Sequence, residues 1–209
     1  DSEVVLDKKL LIGSIVELNK LLEQSPELLQ QIKDSNLPDG LDLVSGGPPC
    51  QSFSMAGLRQ LSNERNSLPW EFAKFVDLTR PKFVILENVS GILRAFSTEK
   101  GQFYAWYEVS KAFVKIGYVP LCLHVNAKYA GVAQNRPRFI LLGIRIDVYE
   151  KIINKLNVKE KEALTHSFEF FKKVQVCPDL EYGHLNYFDV DKNTDFFEQS
   201  FLKPLVKFK

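Results

Sequence analysis

Methionine, cysteine and histidine are all scarce in this chain. Its 209 residues include one methionine, three cysteines and three histidines. Cys50, Cys122 and Cys177 stand far apart and form no C-x-x-C pair, so neither a disulfide framework nor a zinc ribbon can be read from them. An odd cysteine count without a secretory leader points to a reducing, intracellular setting. His166 and His184 lack partners at metal spacing and His124 sits in an apolar run, so no metal is assigned. No apolar run approaches the roughly 20 residues of a membrane helix, which leaves no membrane partner to expect. Neither charge sign dominates: the net charge is +1, and any nucleic-acid contact has to rest on local residues. The lone methionine, Met55, lies inside the chain, which opens Asp1-Ser2-Glu3. That opening suggests a further N-terminal part that is missing, cleaved or held in another chain.

What is present suits one α/β domain with some overhang: 45% hydrophobic and 25% charged residues. Val4 and Val5 followed by Leu10-Leu11-Ile12 suggest an edge strand. Apolar residues from Ile15 to Ile32 recur at helical spacing, with Pro26 dividing them into two helices. A turn over Asn36–Gly40 precedes a short apolar strand, Leu41–Ser45. Ser67 to Leu78 reads as a helix with Pro69 in its first turn. Phe83–Leu86 is a second buried strand. Gly101 to Ile116 reads as a helix whose aromatic residues (Phe103, Trp106, Tyr107, Phe113) serve the core. Tyr118–Val125 and Phe139–Ile146 are strands joined by a polar loop too short for a crossover helix, which predicts an antiparallel return. Lys151–Lys173 is expected to be helical and the rest irregular. The alternation argues for a mostly parallel sheet with one antiparallel strand. Residues 1–149 are expected to form a partial catalytic domain and 150–209 a C-terminal extension.

Gly46-Gly47-Pro48-Pro49-Cys50-Gln51-Ser52-Phe53-Ser54 is the most pointed segment. Glycines permit close approach and prolines stiffen the turn, which mounts a thiol just past a strand's carboxyl end, where open α/β sheets bind ligands. Glu87 falls at the end of the next strand. Arg136 and Arg138 stand where the returning strand begins. A thiol, a carboxylate and two guanidinium groups therefore converge on one sheet edge. A thiolate can add to an electron-poor ring carbon, a carboxyl can hydrogen-bond or protonate a ring nitrogen, and arginine can hold a carbonyl oxygen or a phosphate. Cytosine offers all these handles at C6, N3 with its exocyclic amine, and O2.

Five segments, in order, resemble the motifs of the DNA (cytosine-5) methyltransferases: GSI at 13–15, GGPPCQSFS at 46–54, NERNSLPWEFAKFV at 63–76, ENVSGIL at 87–93 and QNRPR at 134–138. The resemblance covers roughly residues 10–146. It implies a Rossmann-like methyltransferase sheet that uses S-adenosylmethionine, and a cytosine flipped from duplex DNA. Cys50 would attack C6, Glu87 would hold N3 and the 4-amino group, Arg138 would bind O2, and Arg136 would order the cleft and the phosphate backbone. Ser14, Ile15, Pro49 and Leu68 match positions beside the cofactor. Gln51, Ser52, Ser54, Asn88 and Gln134 match the DNA side, with Arg59 on the same loop. A bacterial restriction-modification context, in the cytoplasm at the nucleoid, goes with that family.

The sequence also departs from the family. None of its 11 glycines forms a Gly-x-Gly, so the Phe-x-Gly-x-Gly loop around the cofactor's methionine end is missing. The acidic residue for the ribose is missing too, and Ser14 replaces the aspartate expected to face adenine. The Gly-Asn-Ser-Val segment and a recognisable target-recognition domain are also absent. The sheet is thus expected to be incomplete at both ends, with a missing segment or complementary chain as a partner. Two other readings remain open: a tRNA cytosine-5 methyltransferase, disfavoured by Ser-Phe-Ser after Cys50-Gln51, and an inactive or split-enzyme fragment that docks on a second chain.

Overall fold

The computed structural model describes residues 5–7, 10–33, 40–49, 67–98, 101–130 and 132–190. Cys50, Gln51, Ser52, Ser54 and Arg59 lie outside them, as does most of the turn expected before Gly40. A five-stranded sheet organises the chain. Its strands are β3 (Leu43–Gly46), β4 (Phe83–Val89), β8 (Pro137–Arg145), β7 (Tyr118–Asn126) and β9 (Phe188–Val190), in that spatial order. β3 runs parallel to β4 and β9 parallel to β7, while β8 lies antiparallel to both of its neighbours. One strand alone is reversed, and it occupies the centre. The fold class expected from sequence is therefore the one observed.

Helix boundaries follow local chemistry. Ser14 caps α1 (Ile15–Gln24), its hydroxyl accepting the Val16 N–H at 3.2 Å. Pro26 opens α2 (Pro26–Lys33) at the first helical position, where a missing N–H costs nothing. α3 (Leu68–Thr79) carries Pro69 in its first turn and ends on Arg80 at φ 53°. That left-handed conformation is unusual for a side-chain-bearing residue, and the guanidinium is held over the Tyr118 ring at 5.4 Å. α4 (Ala105–Lys115) stops at Gly117, whose φ is +87°. Asn157 and Glu160 form a reciprocal capping box at the start of α6 (Val158–Val176), which follows the short α5 (Ile146–Ile152).

Alternation along the central strands divides the core. Tyr118, Cys122, Phe139, Leu141, Val84 and Leu86 join Phe72 and Val76 of α3 with Trp106 and Phe113 of α4. Val119, Leu121 and Ile144 pack instead with Tyr149, Ala163 and Leu164. α6 serves both clusters, through Phe170 and Val174 on the first and Ala163 and Leu164 on the second.

Four sequence expectations need correction. Val5–Asp7 (β1) and Leu10–Ile12 (β2) pair with each other rather than edging the main sheet. Gly101–Phe103 is not helical but a strand, β6, paired with β5 (Phe96–Thr98), so Phe103 precedes the helix. β4 extends to Val89, which places Glu87 inside the strand. Phe188–Val190, read as irregular, adds β9 to the sheet. The segment beyond 149 accordingly packs on the same sheet as the residues before it, through α6 and β9.

Candidate active site at the β4–β8 edge

The reversal of β8 brings two distant side chains together. Register pairs Glu87 with Ile140 and Val89 with Arg138, so Glu87 and Arg138 are diagonal neighbours on one face. Their side chains meet, Arg138 Nε lying 2.6 Å from Glu87 Oε1. The carboxylate side chain keeps 46% of its exposure and the guanidinium 21%. Such a half-exposed pair is worth at most about 1 kcal/mol, so an entering ligand can exchange it for other contacts at little cost.

The strand leading to Cys50 docks on this pair. A methyl group added to Gly46 would fall 2.5 Å from the Phe72 ring, so only glycine lets β3 lie this close to α3. At Gly47 the added carbon would stand 3.2 Å from Glu87 Oε2. The Asn88 amide donates to the Pro48 carbonyl at 3.1 Å, and its carbonyl oxygen accepts the Val89 N–H at 2.8 Å. Asn88 was expected on the DNA side; it is 3% exposed and faces the Pro48 turn instead. Its burial suits a positioning residue that ties the turn to the end of β4.

Beside the turn lies a cavity of about 380 Å³ lined by Ser14, Ile15, Val44, Pro49, Leu68 and Phe72, among others. All four residues expected at the cofactor are in that lining. Its volume falls within the roughly 300–1,000 Å³ typical of small-molecule sites. The walls are apolar and the Ser14 hydroxyl supplies a polar group, a combination that fits the ring system of a nucleoside cofactor.

Gln134 and Arg136 are exposed on the β7–β8 connection. Sequence reasoning missed the residue that shapes it. Asn126 donates to Asn135 Oδ1 at 2.8 Å, and its own Oδ1 accepts the backbone N–H groups of Lys128 and Arg136, each at 3.2 Å. An asparagine ending a strand just before a polar loop is the signal that could have marked it.

Other polar groups serve the scaffold. Burial pushes the Cys122 thiol up to about 12, and the thiol contacts Ser110 Oγ at 3.4 Å. His124 Nδ1 meets Asp189 Oδ1 at 2.6 Å and ties β9 to β7. Asp147 is held below the usual carboxylate range by its hydrogen bond from Arg145. Among the described residues, no group of three His, Cys, Asp or Glu side chains is placed to hold a metal ion.

A sequence model of the C-5 cytosine-specific DNA methylases matches residues 17–196. The type II methyltransferase M.NgoPII of Neisseria gonorrhoeae is 35% identical over 140 residues, covering 66% of this chain and 40% of that protein. M.DdeI of Desulfomicrobium norvegicum is 39% identical over 107 residues, covering 51% and 25%. Among solved structures, a prophage-encoded E. coli protein assigned to the DNA modification methyltransferases shares 27% identity over 66% of this chain and 34% of its own, with a TM-score of 0.43. The chain therefore spans between a quarter and two fifths of the length of these curated relatives.

Proposed function

The chain belongs to the C-5 cytosine-specific DNA methylase family, and from that premise we propose that its β4–β8 edge transfers a methyl group to C5 of a cytosine flipped out of duplex DNA. The observation that carries this reading is the Glu87–Arg138 pair at 2.6 Å, with the turn that leads to Cys50 docked directly beside it. In the reading, the Cys50 thiolate forms a bond to C6 of the ring. Glu87, carrying a proton on the oxygen that faces N3, donates to N3 and accepts from the exocyclic amine with its other oxygen, and that proton passes to N3 as N3 receives the displaced electron pair. Arg138 leaves Glu87 to donate to O2, and Arg136 steadies the DNA backbone. C5 thereby becomes nucleophilic. C5 would then take the cofactor's methyl group, the S–CH3 bonding pair staying on the departing thioether. Loss of the C5 proton to water, expulsion of the Cys50 thiolate and return of the N3 proton to Glu87 would restore the aromatic ring. Flipping costs a few kcal/mol, which these contacts would offset.

Ser14, Ile15, Pro49 and Leu68 would hold S-adenosylmethionine, which when bound supplies an electrophilic methyl group. Gln51, Ser52, Ser54 and Gln134 remain the proposed DNA contacts. We further propose that a neighbouring segment or second chain completes the cofactor side. β3 ends the described sheet, and its far edge has no strand partner among the described residues. Leu43 is 50% and its cross-strand partner Phe83 37% exposed, surface that an added strand would cover.

The test is trapping. Duplex DNA carrying 5-fluorocytosine should form a stable adduct with the wild-type protein in the presence of labelled S-adenosylmethionine, and none with Cys50→Ser. Transfer to tRNA but not to DNA would overturn the choice of substrate. The absence of any adduct, with or without an added complementary methyltransferase chain, would overturn the chemistry.

A further inference from the structure

No acidic residue occurs between Glu108 and Asp147, while six cations do: Lys111, Lys115, Lys128, Arg136, Arg138 and Arg145. In a chain of net charge +1 that interval is the most one-sided stretch of its length among the described residues. Three of the six are neutralised within the fold: Lys111 by Glu108, Arg138 by Glu87 and Arg145 by Asp147. Lys115 closes α4, away from the connection after β7. Lys128 and Arg136 stand on that connection, both exposed, and neither makes an ion pair among the described residues.

Their juxtaposition is built in. One oxygen, Asn126 Oδ1, accepts the backbone N–H of each at 3.2 Å, so the two amides lie no more than about twice that distance apart. A second bond, from Asn126 Nδ2 to Asn135 Oδ1, pins the segment just before Arg136. Lys128 Nζ lies 4.7 Å from the centre of the Tyr129 ring, a contact that steadies the side chain without neutralising it. Two exposed cations whose backbone amides are pinned to one oxygen, with Arg136 two residues from Arg138, suit neighbouring phosphates on one strand.

We infer that Lys128 and Arg136 form a two-cation clamp, set by Asn126, on the phosphate backbone flanking the target base. The inference rests on the reading of the β4–β8 edge as a DNA site, and it adds Lys128, which no motif singles out. Such contacts fix register on the duplex and carry no sequence information, so they act equally on every sequence.

Affinity of the intact protein for a duplex of random sequence, measured from 50 to 200 mM KCl, tests the clamp. Each phosphate contact contributes about 0.9 to the slope of log K against log salt. Lys128→Ala and Arg136→Ala should each lower the slope by about that amount, so that the wild-type advantage shrinks about 3.5-fold across the range. Lys128→Arg should restore the wild-type slope, which a merely structural role would not require. A Lys128→Ala slope equal to wild type, or a wild-type protein with no affinity for duplex DNA, overturns the clamp. Adduct formation with 5-fluorocytosine DNA separates the two readings. Salt slopes as expected without an adduct would leave the clamp standing and remove the methyl transfer; an adduct with an unchanged slope would do the reverse.

Discussion

The two flanks of the sheet are built differently. On the β7 side, Tyr118, Val119, Phe113 and Trp106 are essentially inaccessible, and α4 and α6 cover the strands with aromatic rings packed edge to face or tilted against one another. On the β3 side, a four-residue strand alternates exposed and half-buried positions beside an open cavity. One flank gains stability from burial and holds little chemistry. The other holds the cavity and the turn to Cys50, and its outermost strand, β3, contributes no fully buried residue. The Glu87–Arg138 pair sits on the boundary, where the central strands meet the turn beside the cavity.

Substitutions should therefore separate stability from activity by flank. The largest effect is expected at Glu87→Gln: adduct formation and methyl transfer should fall by about 10²–10⁴, the usual contribution of a positioned acid or base. Thermal melting should stay within about 1 kcal/mol of wild type because the side chain is 46% exposed. A parallel loss of melting temperature would place Glu87 in the scaffold instead. Next, Phe113→Ala removes a ring that is fully buried against Phe72 and Tyr118. It should cost about 3–5 kcal/mol in denaturant unfolding. A cost below about 1 kcal/mol would mean that the β7 side is not the stabilising flank.

The smallest of these effects is a pH dependence. Burial raises Tyr107 and Tyr118 to about 12 from 10.0, and Cys122 to about 12 from 9.0. The folded state thus retains protons that the unfolded chain releases. Stability from these groups is complete below about pH 9 and is lost as pH rises toward about 12. All three sit on the β7 flank, so alkaline unfolding should begin there. Tyr118→Phe leaves the Pro81 carbonyl without its donor, at a cost of about 1 kcal/mol near neutral pH, and should flatten the alkaline limb. An alkaline limb as steep as wild type would remove Tyr118 from the account.

Much of this was legible in the chain. Pro26 divides α1 from α2 because an interior proline both clashes and lacks a donor. The polar loop before Arg136 was too short for a crossover, which fixed β8 as the reversed strand and hence the meeting of Glu87 with Arg138. What escaped notice was short or depended on partners. Gly101–Phe103 continues the aromatic spacing of α4, yet pairs with Phe96–Thr98. Phe188–Val190 has three residues, too few for a period to register, and becomes a strand only because β7 offers an edge. Asn88 stood next to Glu87 in a motif, and only the fold shows its amide turned to Pro48.

The central, reversed strand has a mechanical consequence. β8 pairs with β4 along one margin, from Arg138 to Ile144, and with β7 along the other, from Pro137 to Arg145. It cannot slide or tilt without tearing both seams. The backbone beneath Arg138 is thus tied on both sides, and in the proposed reading whatever opens or shuts around a base hinges elsewhere, with Arg138 swinging from a fixed post.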